Sequence, residues 1–218
     1  MSDLGSLRDE LAGACRRLAA GGMVTGTSGN LSARTGERVV ITPTGARFEE
    51  VEGEDLAVVD LDGNQLEGRL APTSELALHL DVYRRYDAGA VAHTHAPMAT
   101  AVGCVLDELP CVHYTMLALG GSVRVAPYRT FGTPELAQAV AAALEGRTAA
   151  LLANHGTIAY GGDVAGAIEA TELLEWASAL YLRAAALGAP RALSEEQQQA
   201  TVAAALARGY GNTKPATP

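Results

Sequence analysis

The chain is poor in lysine, cysteine, aromatic side chains and positive charge. Lys214 is the only lysine in 218 residues. That excludes Schiff-base chemistry on a lysine amine, short of a role for this residue near the C-terminus. The three cysteines, Cys15, Cys104 and Cys111, are odd in number and scattered. They are too few for a disulfide framework and suit a reducing cytoplasm. Sixteen basic residues face 25 acidic ones, for a net charge of −9. Nucleic acid and anionic membrane surfaces, which need basic patches, are therefore not expected partners. A small anion remains compatible, because backbone N–H groups and hydroxyls can hold a phosphate inside an acidic protein. No apolar run is long enough to cross a bilayer, and Met1-Ser2-Asp3-Leu4 opens no signal peptide. The P-loop and dinucleotide glycine patterns are missing as well.

What is present belongs to a globular enzyme-sized unit. Apolar residues make up 48% and charged residues 19%, which excludes a disordered chain. The length favours one domain, read here as residues 1–210, with 211–218 as a loose tail.

Leu4, Leu7, Leu11, Ala14 and Leu18 recur every three or four residues, the mark of an amphipathic helix that Gly21-Gly22 ends. A polar loop, Thr25 to Asn30, follows, then a strand over 39–42. Segments 56–61 and 65–66 flank Asp62-Gly63, a hairpin signal. Pro72-Thr73-Ser74 opens a helix over 75–86. Strands are expected over 90–94, 110–114, 122–127, 149–153 and 157–160, with a short helix over 97–106. Thr133-Pro134 starts a helix to about Leu144. Asp163 caps a long helix to about Leu187, and Ser194 with Gln197 forms a capping box for a last helix. Hairpins mixed with helices predict a layered α/β domain around a mixed sheet.

Five histidines carry most of the chemical interest. His93-Thr94-His95 ends a strand, and residues two apart on a strand share a face. Two imidazoles there are half of a metal site, or equally a surface pair balanced by carboxylates. His155 lies in the turn Asn154-His155-Gly156. With His93 and His95 it completes three histidines, a recurring ligand set for catalytic zinc with an open position. A turn also suits a histidine for its tolerance of unusual backbone angles. His79, four residues after Glu75, qualifies as a ligand on spacing alone, whereas His113 reads as a packed strand residue. Glu75 sits in a first helical turn, where the dipole favours a carboxylate and a general acid/base would also fit. Thr27-Ser28-Gly29-Asn30, Thr42-Pro43-Thr44-Gly45 and Thr73-Ser74 offer N–H and O–H donors to a phosphate, or form ordinary turns and caps.

In this order the pieces resemble the class II aldolase/adducin family. They are Gly26-Thr27-Ser28-Gly29-Asn30, Ile41-Thr42-Pro43-Thr44-Gly45, Pro72-Thr73-Ser74-Glu75, His93-Thr94-His95-Ala96, His113-Tyr114, Ala126-Pro127-Tyr128 with Phe131-Gly132-Thr133, and Asn154-His155-Gly156. The resemblance covers nearly the whole chain, to about Tyr210. It implies a three-layer α/β domain with a central mixed, largely antiparallel sheet flanked by helices. It implies a homotetramer with active sites at subunit interfaces, and one zinc ion per subunit held by His93, His95 and His155. Glu75 would ligate the metal in the empty enzyme and act as acid/base with substrate bound. Thr27, Asn30, Gly45, Thr73 and Ser74, with Thr44 adjacent, would hold the phosphate. Tyr114 would come from a neighbouring subunit, and Tyr210 and Phe131 would play supporting parts.

The implied reaction is reversible cleavage of a ketose 1-phosphate to dihydroxyacetone phosphate and a small aldehyde such as lactaldehyde. A 4-epimerase, dehydratase or decarboxylase on the same scaffold is the alternative. Glu75 speaks against the epimerase branch, which carries Asp there. The histidines speak against a non-catalytic, adducin-like module.

Overall fold

The computed structural model describes residues 4–209. Six α-helices and nine strands are present among them. The first helix, α1 (Leu4–Ala20), turns Leu7, Leu11, Ala14 and Leu18 inward, the stripe that its periodicity predicts. Strands β1 (Asn30–Thr35) and β2 (Arg38–Ile41) form a hairpin, and β3 (Ala57–Asp60) and β4 (Gln65–Glu67) form another across Asp62-Gly63. Helix α2 (Leu76–Arg85) leads to β5 (Ala90–Thr94) and then to the short α3 (Pro97–Gly103). After β6 (Glu108–Leu109), a 3-10 helix over Tyr114–Leu119 precedes β7 (Val123–Ala126). Helix α4 (Pro134–Leu144), β8 (Ala149–Leu152), β9 (Gly156–Gly161), α5 (Val164–Leu187) and α6 (Glu195–Arg208) complete the chain.

All nine strands join one sheet in the order β4-β3-β2-β1-β5-β9-β8-β7-β6. Only β7 and β8 pair in parallel, so the sheet is mixed and largely antiparallel, as expected. Period-two alternation splits its side chains between two faces. Val39, Ile41, Val59, Ala150, Leu152 and Ile158 pack under α2 and α4. Leu31, Ala33, Val40, Val58 and Ala92 pack on α1 and the start of α5, while Ala149, Leu151 and Ala159 meet α3 and the rest of α5. The result is a three-layer α/β/α domain.

Strong local signals located the helices well. Thr133, Asp163 and Ser194 each accept a backbone N–H in the first turn of their helix, and Gln197 closes the capping box. Four expectations need correction. The strand over 110–114 is not there. Pro110 has no N–H for a ladder, and His113 Nδ1 accepts from the amide of Thr115 and so starts the 3-10 helix instead. The segment Asn30–Thr35, not read as a strand, is β1. The short helix stops at Gly103, not Leu106, and Glu75 is the cap of α2 and not its first residue.

Candidate active site

One edge of the sheet gathers most of the sequence-predicted residues. Asn30 pairs with His93, Ser32 with Ile41, Thr94 with Thr157, Leu152 with Gly156, and Ala126 with Leu152. The start of β1, the ends of β2, β5, β7 and β8, and the start of β9 therefore lie along the same edge. Thr42 accepts from the amide of Thr73, and Ala71 accepts from that of Thr44. These bonds tie the 42–45 and 71–75 loops together beside that edge.

His93 is fully buried at the end of β5. Its Nδ1 donates to the Thr157 carbonyl at 2.8 Å, and its Nε2 faces inward. The Nε2 atoms of His93 and His95 lie 3.2 Å apart. His155 joins from the β8–β9 turn. The positive backbone angle of that turn falls on Asn154 (φ 53°), the side chain that tolerates it, and not on the histidine. Gly156 lets the turn close, since a Cβ there would lie 2.4 Å from the Thr94 carbonyl and 2.9 Å from the His95 ring. One ligand atom from each histidine falls within 4.8 Å of the others.

Glu75 faces this cluster from the start of α2. Its Oε2 lies 3.1 Å from His93 Nε2, and its Oε1 lies 3.5 Å from His155 Nε2. Burial pushes the Glu75 carboxyl up. The hydrogen bond and charge from His93, with Asn30 and His155, outweigh that and hold it well below the ordinary carboxylate range. Burial, then the neighbouring imidazoles, pull His95 down to about 4. His155 is lowered for the same reasons. Neutral imidazoles beside an ionised carboxylate are the protonation states that metal binding requires.

The donor set fits a cation. Imidazole nitrogens face one another and a carboxylate, and Glu75 Oε1 is buried without a hydrogen-bond partner. Only a shared proton or a positive ion reconciles such a group of acceptors. Three imidazoles suit zinc or another borderline divalent ion better than calcium or magnesium.

The remaining expectations fall in several places. Asn30, assigned to the phosphate, is buried, and its amide lies between Glu75 (Nδ2 to Oε2, 3.0 Å) and His79 (Oδ1 to Nε2, 2.5 Å). Thr73 is buried and accepts from the amide of Glu75, whereas Thr27, Thr44, Gly45 and Ser74 are exposed. Among the described residues the amides of Gly45 and Ser74 make no backbone hydrogen bond. Phe131 is 64% exposed. Its neighbour Gly132 lies against the Ser74 carbonyl, close enough to put a Cβ 3.0 Å from it. Tyr114 is 43% exposed and lies on the His113 ring at 4.6 Å, outside the histidine–glutamate cluster. Tyr210 lies outside the described residues.

Sequence reading missed Ser32 and Tyr83, which continue from His79 into the core. The signal was available: Glu75, His79 and Tyr83 recur every four residues along one stripe of α2.

Known proteins resemble the chain over most of its length. The family described as Class II Aldolase and Adducin N-terminal domain matches residues 9–182. A 5-deoxy-D-ribulose 1-phosphate aldolase of Bacillus thuringiensis is 37% identical over 195 residues, covering 88% of this chain and 92% of that protein. An L-fuculose phosphate aldolase of Escherichia coli strain K12 is 37% identical over 198 residues, covering 90% and 92%. A solved structure of an L-fuculose 1-phosphate aldolase superposes with a TM-score of 0.87 at 37% identity, covering 91% of this chain and 95% of that one.

Proposed function

The chain belongs to the class II aldolase and adducin family and is a carbon–carbon lyase; from that premise we propose that it reversibly cleaves a ketose 1-phosphate with the help of one zinc ion per subunit. The products are dihydroxyacetone phosphate and a small methyl-terminated aldehyde. The convergence of His93, His95 and His155 on the Glu75 carboxylate carries this reading.

Cleavage between C3 and C4 leaves an electron pair at C3, beside the C2 carbonyl. A metal ion held by the three histidines supplies Lewis acidity to that developing charge. Glu75 as a carboxylate removes a proton from C3 in condensation, and in cleavage the protonated carboxyl returns that proton to C3 and is left as the carboxylate its surroundings favour. The hydroxyl on C4 loses its proton as the C3–C4 bond breaks, and the Tyr114 phenol of a neighbouring copy relays it, accepting that proton on its oxygen as it releases its own to solvent. Exposure of Tyr114 away from its own cluster supports that division of labour and, with it, a homotetramer with sites at subunit interfaces. Thr27, Thr44, Gly45, Thr73 and Ser74 hold the phosphate through amides and hydroxyls beside Glu75 and fix C3 against it. Asn30 serves the same pocket from behind the carboxylate, and Phe131 borders it.

Two sugars fit. L-fuculose 1-phosphate would release lactaldehyde, and 5-deoxyribulose 1-phosphate would release acetaldehyde. They differ by one hydroxylated carbon beyond the bond that breaks, and relatives of equal identity are named for each. We place the reaction in the cytoplasm. Free Cys15, Cys104 and Cys111 support this, and no described helix is long and apolar enough to cross a membrane.

The test is dihydroxyacetone phosphate release from both sugars, with and without a chelator, alongside metal analysis. Chelator-sensitive release that zinc restores is the expected result. No release from either sugar by metal-loaded protein would overturn the aldolase substrate class and favour the epimerase, dehydratase or decarboxylase alternatives.

A further inference from the structure

A continuous chain of buried polar side chains runs from Glu75 into the core. Asn30 and Ser32 lie two apart on β1 and share its α2-facing side. Glu75, His79 and Tyr83 lie four apart on α2. Asn30 Nδ2 reaches Glu75 Oε2 at 3.0 Å, and Asn30 Oδ1 reaches His79 Nε2 at 2.5 Å. His79 Nδ1 reaches Ser32 Oγ at 2.7 Å, and Ser32 Oγ reaches Tyr83 OH at 2.7 Å. His79 and Ser32 are completely buried.

The inventory of donors fixes the direction of every bond. Glu75 as a carboxylate only accepts, so the Asn30 amide must present its NH2 to it. Its oxygen then faces His79, whose Nε2 must carry the hydrogen. Nδ1 is left bare and accepts from the Ser32 hydroxyl, whose oxygen in turn accepts from Tyr83. Reversing the Asn30 amide would set its oxygen against a carboxylate and its NH2 against an N–H. The arrangement also occupies only Oε2 of Glu75 and leaves Oε1 without a hydrogen bond.

We propose that His79, backed by Ser32 and Tyr83, is a positioning residue that locks the Asn30 amide and thereby selects which oxygen of Glu75 moves the substrate proton. The inference rests on the acid/base reading of Glu75. His79 touches neither substrate nor metal. It acts through Asn30, and a buried network whose members are all paired holds such an orientation more firmly than any one bond would.

The experiment is exchange of a carbon-bound hydrogen of dihydroxyacetone phosphate in heavy water, followed by NMR on metal-loaded enzyme. This half-reaction needs no aldehyde and isolates the Glu75 step. His79→Leu should slow exchange by about 10- to 100-fold, with bound metal unchanged and KM within about twofold. His79→Gln, which keeps an N–H toward Asn30, should recover part of the loss. In a Glu75→Gln background, His79→Leu should cost nothing further, because both changes act on one step. Ser32→Ala, a smaller perturbation, should slow exchange by about 3- to 10-fold and covers the case in which His79→Leu does not fold. Equal losses from His79→Leu or Ser32→Ala in both backgrounds, or near-normal exchange in both variants, would overturn the positioning role alone. Normal exchange in Glu75→Gln would overturn the Glu75 reading and the relay together.

Discussion

Helices α2 and α6 depart from ordinary burial in opposite directions. Along α2 a histidine, a tyrosine and the capping glutamate are buried, and each finds a polar partner. Along α6 no residue is buried, and Val202 and Leu206 face solvent. A buried polar group is tolerated only when its hydrogen bonds are supplied, so the α2 side is organised from within one chain. An exposed apolar face is surface without a partner among the described residues. A cavity beside α6 is lined by Val112, His113, Tyr114, Leu193, Ala200 and Ala204, which puts the exposed tyrosine next to that helix. Under the proposed reading, the contrast divides the site into a half complete in the single chain and a half to which a second copy would contribute.

The sharpest way to break the self-contained half is His93→Ala. Metal and turnover should both disappear, turnover by on the order of 10³-fold or more, as for loss of a major electrostatic stabiliser. Stoichiometric zinc in that variant, measured by elemental analysis, would remove His93 from the ligand set. Glu75→Gln comes next, with turnover down by about 10²- to 10⁴-fold and zinc retained. Tyr114→Phe should cost about 10²-fold in turnover and probes the other half. Mixed oligomers of Tyr114→Phe and Glu75→Gln chains should regain activity, because some sites then combine an intact tyrosine with an intact glutamate. Persistent inactivity of oligomers shown to be mixed would confine Tyr114 to its own chain.

Smaller effects concern stability. Burial holds His79 down at about 3 in the fold, against an ordinary value of 6.5. Between those values the unfolded chain binds the extra proton and the native one does not. Stability of the metal-free protein should therefore fall as the pH drops below about 6.5, by at most about 1.4 kcal/mol per pH unit from this group. Urea titrations of wild type and His79→Gln should converge toward acid pH. Ser194→Ala should loosen α6 by about 1 kcal/mol, seen as faster amide exchange confined to that helix, while the α2 network is untouched.

The two halves also differ in how legible they were. Helices with strong caps, such as α4, α5 and α6, were readable because a cap is a bond between neighbours in sequence. Strand β1 was not. Asn30 and Ser32 are polar, and the partners that justify their burial, Glu75, His79 and Tyr83, lie more than forty residues away. The expected strand over 110–114 failed for the converse reason. Its apolar composition suggested a strand, but the proline and the histidine cap directed the backbone elsewhere. His79 shows the same limit within the site. Spacing from Glu75 admitted it as a ligand, yet it stands one side chain behind the carboxylate.

The sequence by itself determined the residue types, their order and their local faces: a histidine pair at a strand end, a third histidine in a turn, a glutamate at a helix start, and loops rich in glycine and hydroxyls. These follow from periodicity and capping, which act over a few residues. Only the tertiary structure decided which groups meet. Pairing of β5 with both β1 and β9 brings His93 beside Asn30 and Thr157. Packing of α2 on the same face brings Glu75 onto the histidines and turns the Asn30 amide toward it. Those contacts join segments far apart in the chain, and the side-chain period of two makes each depend on a register that no single segment specifies.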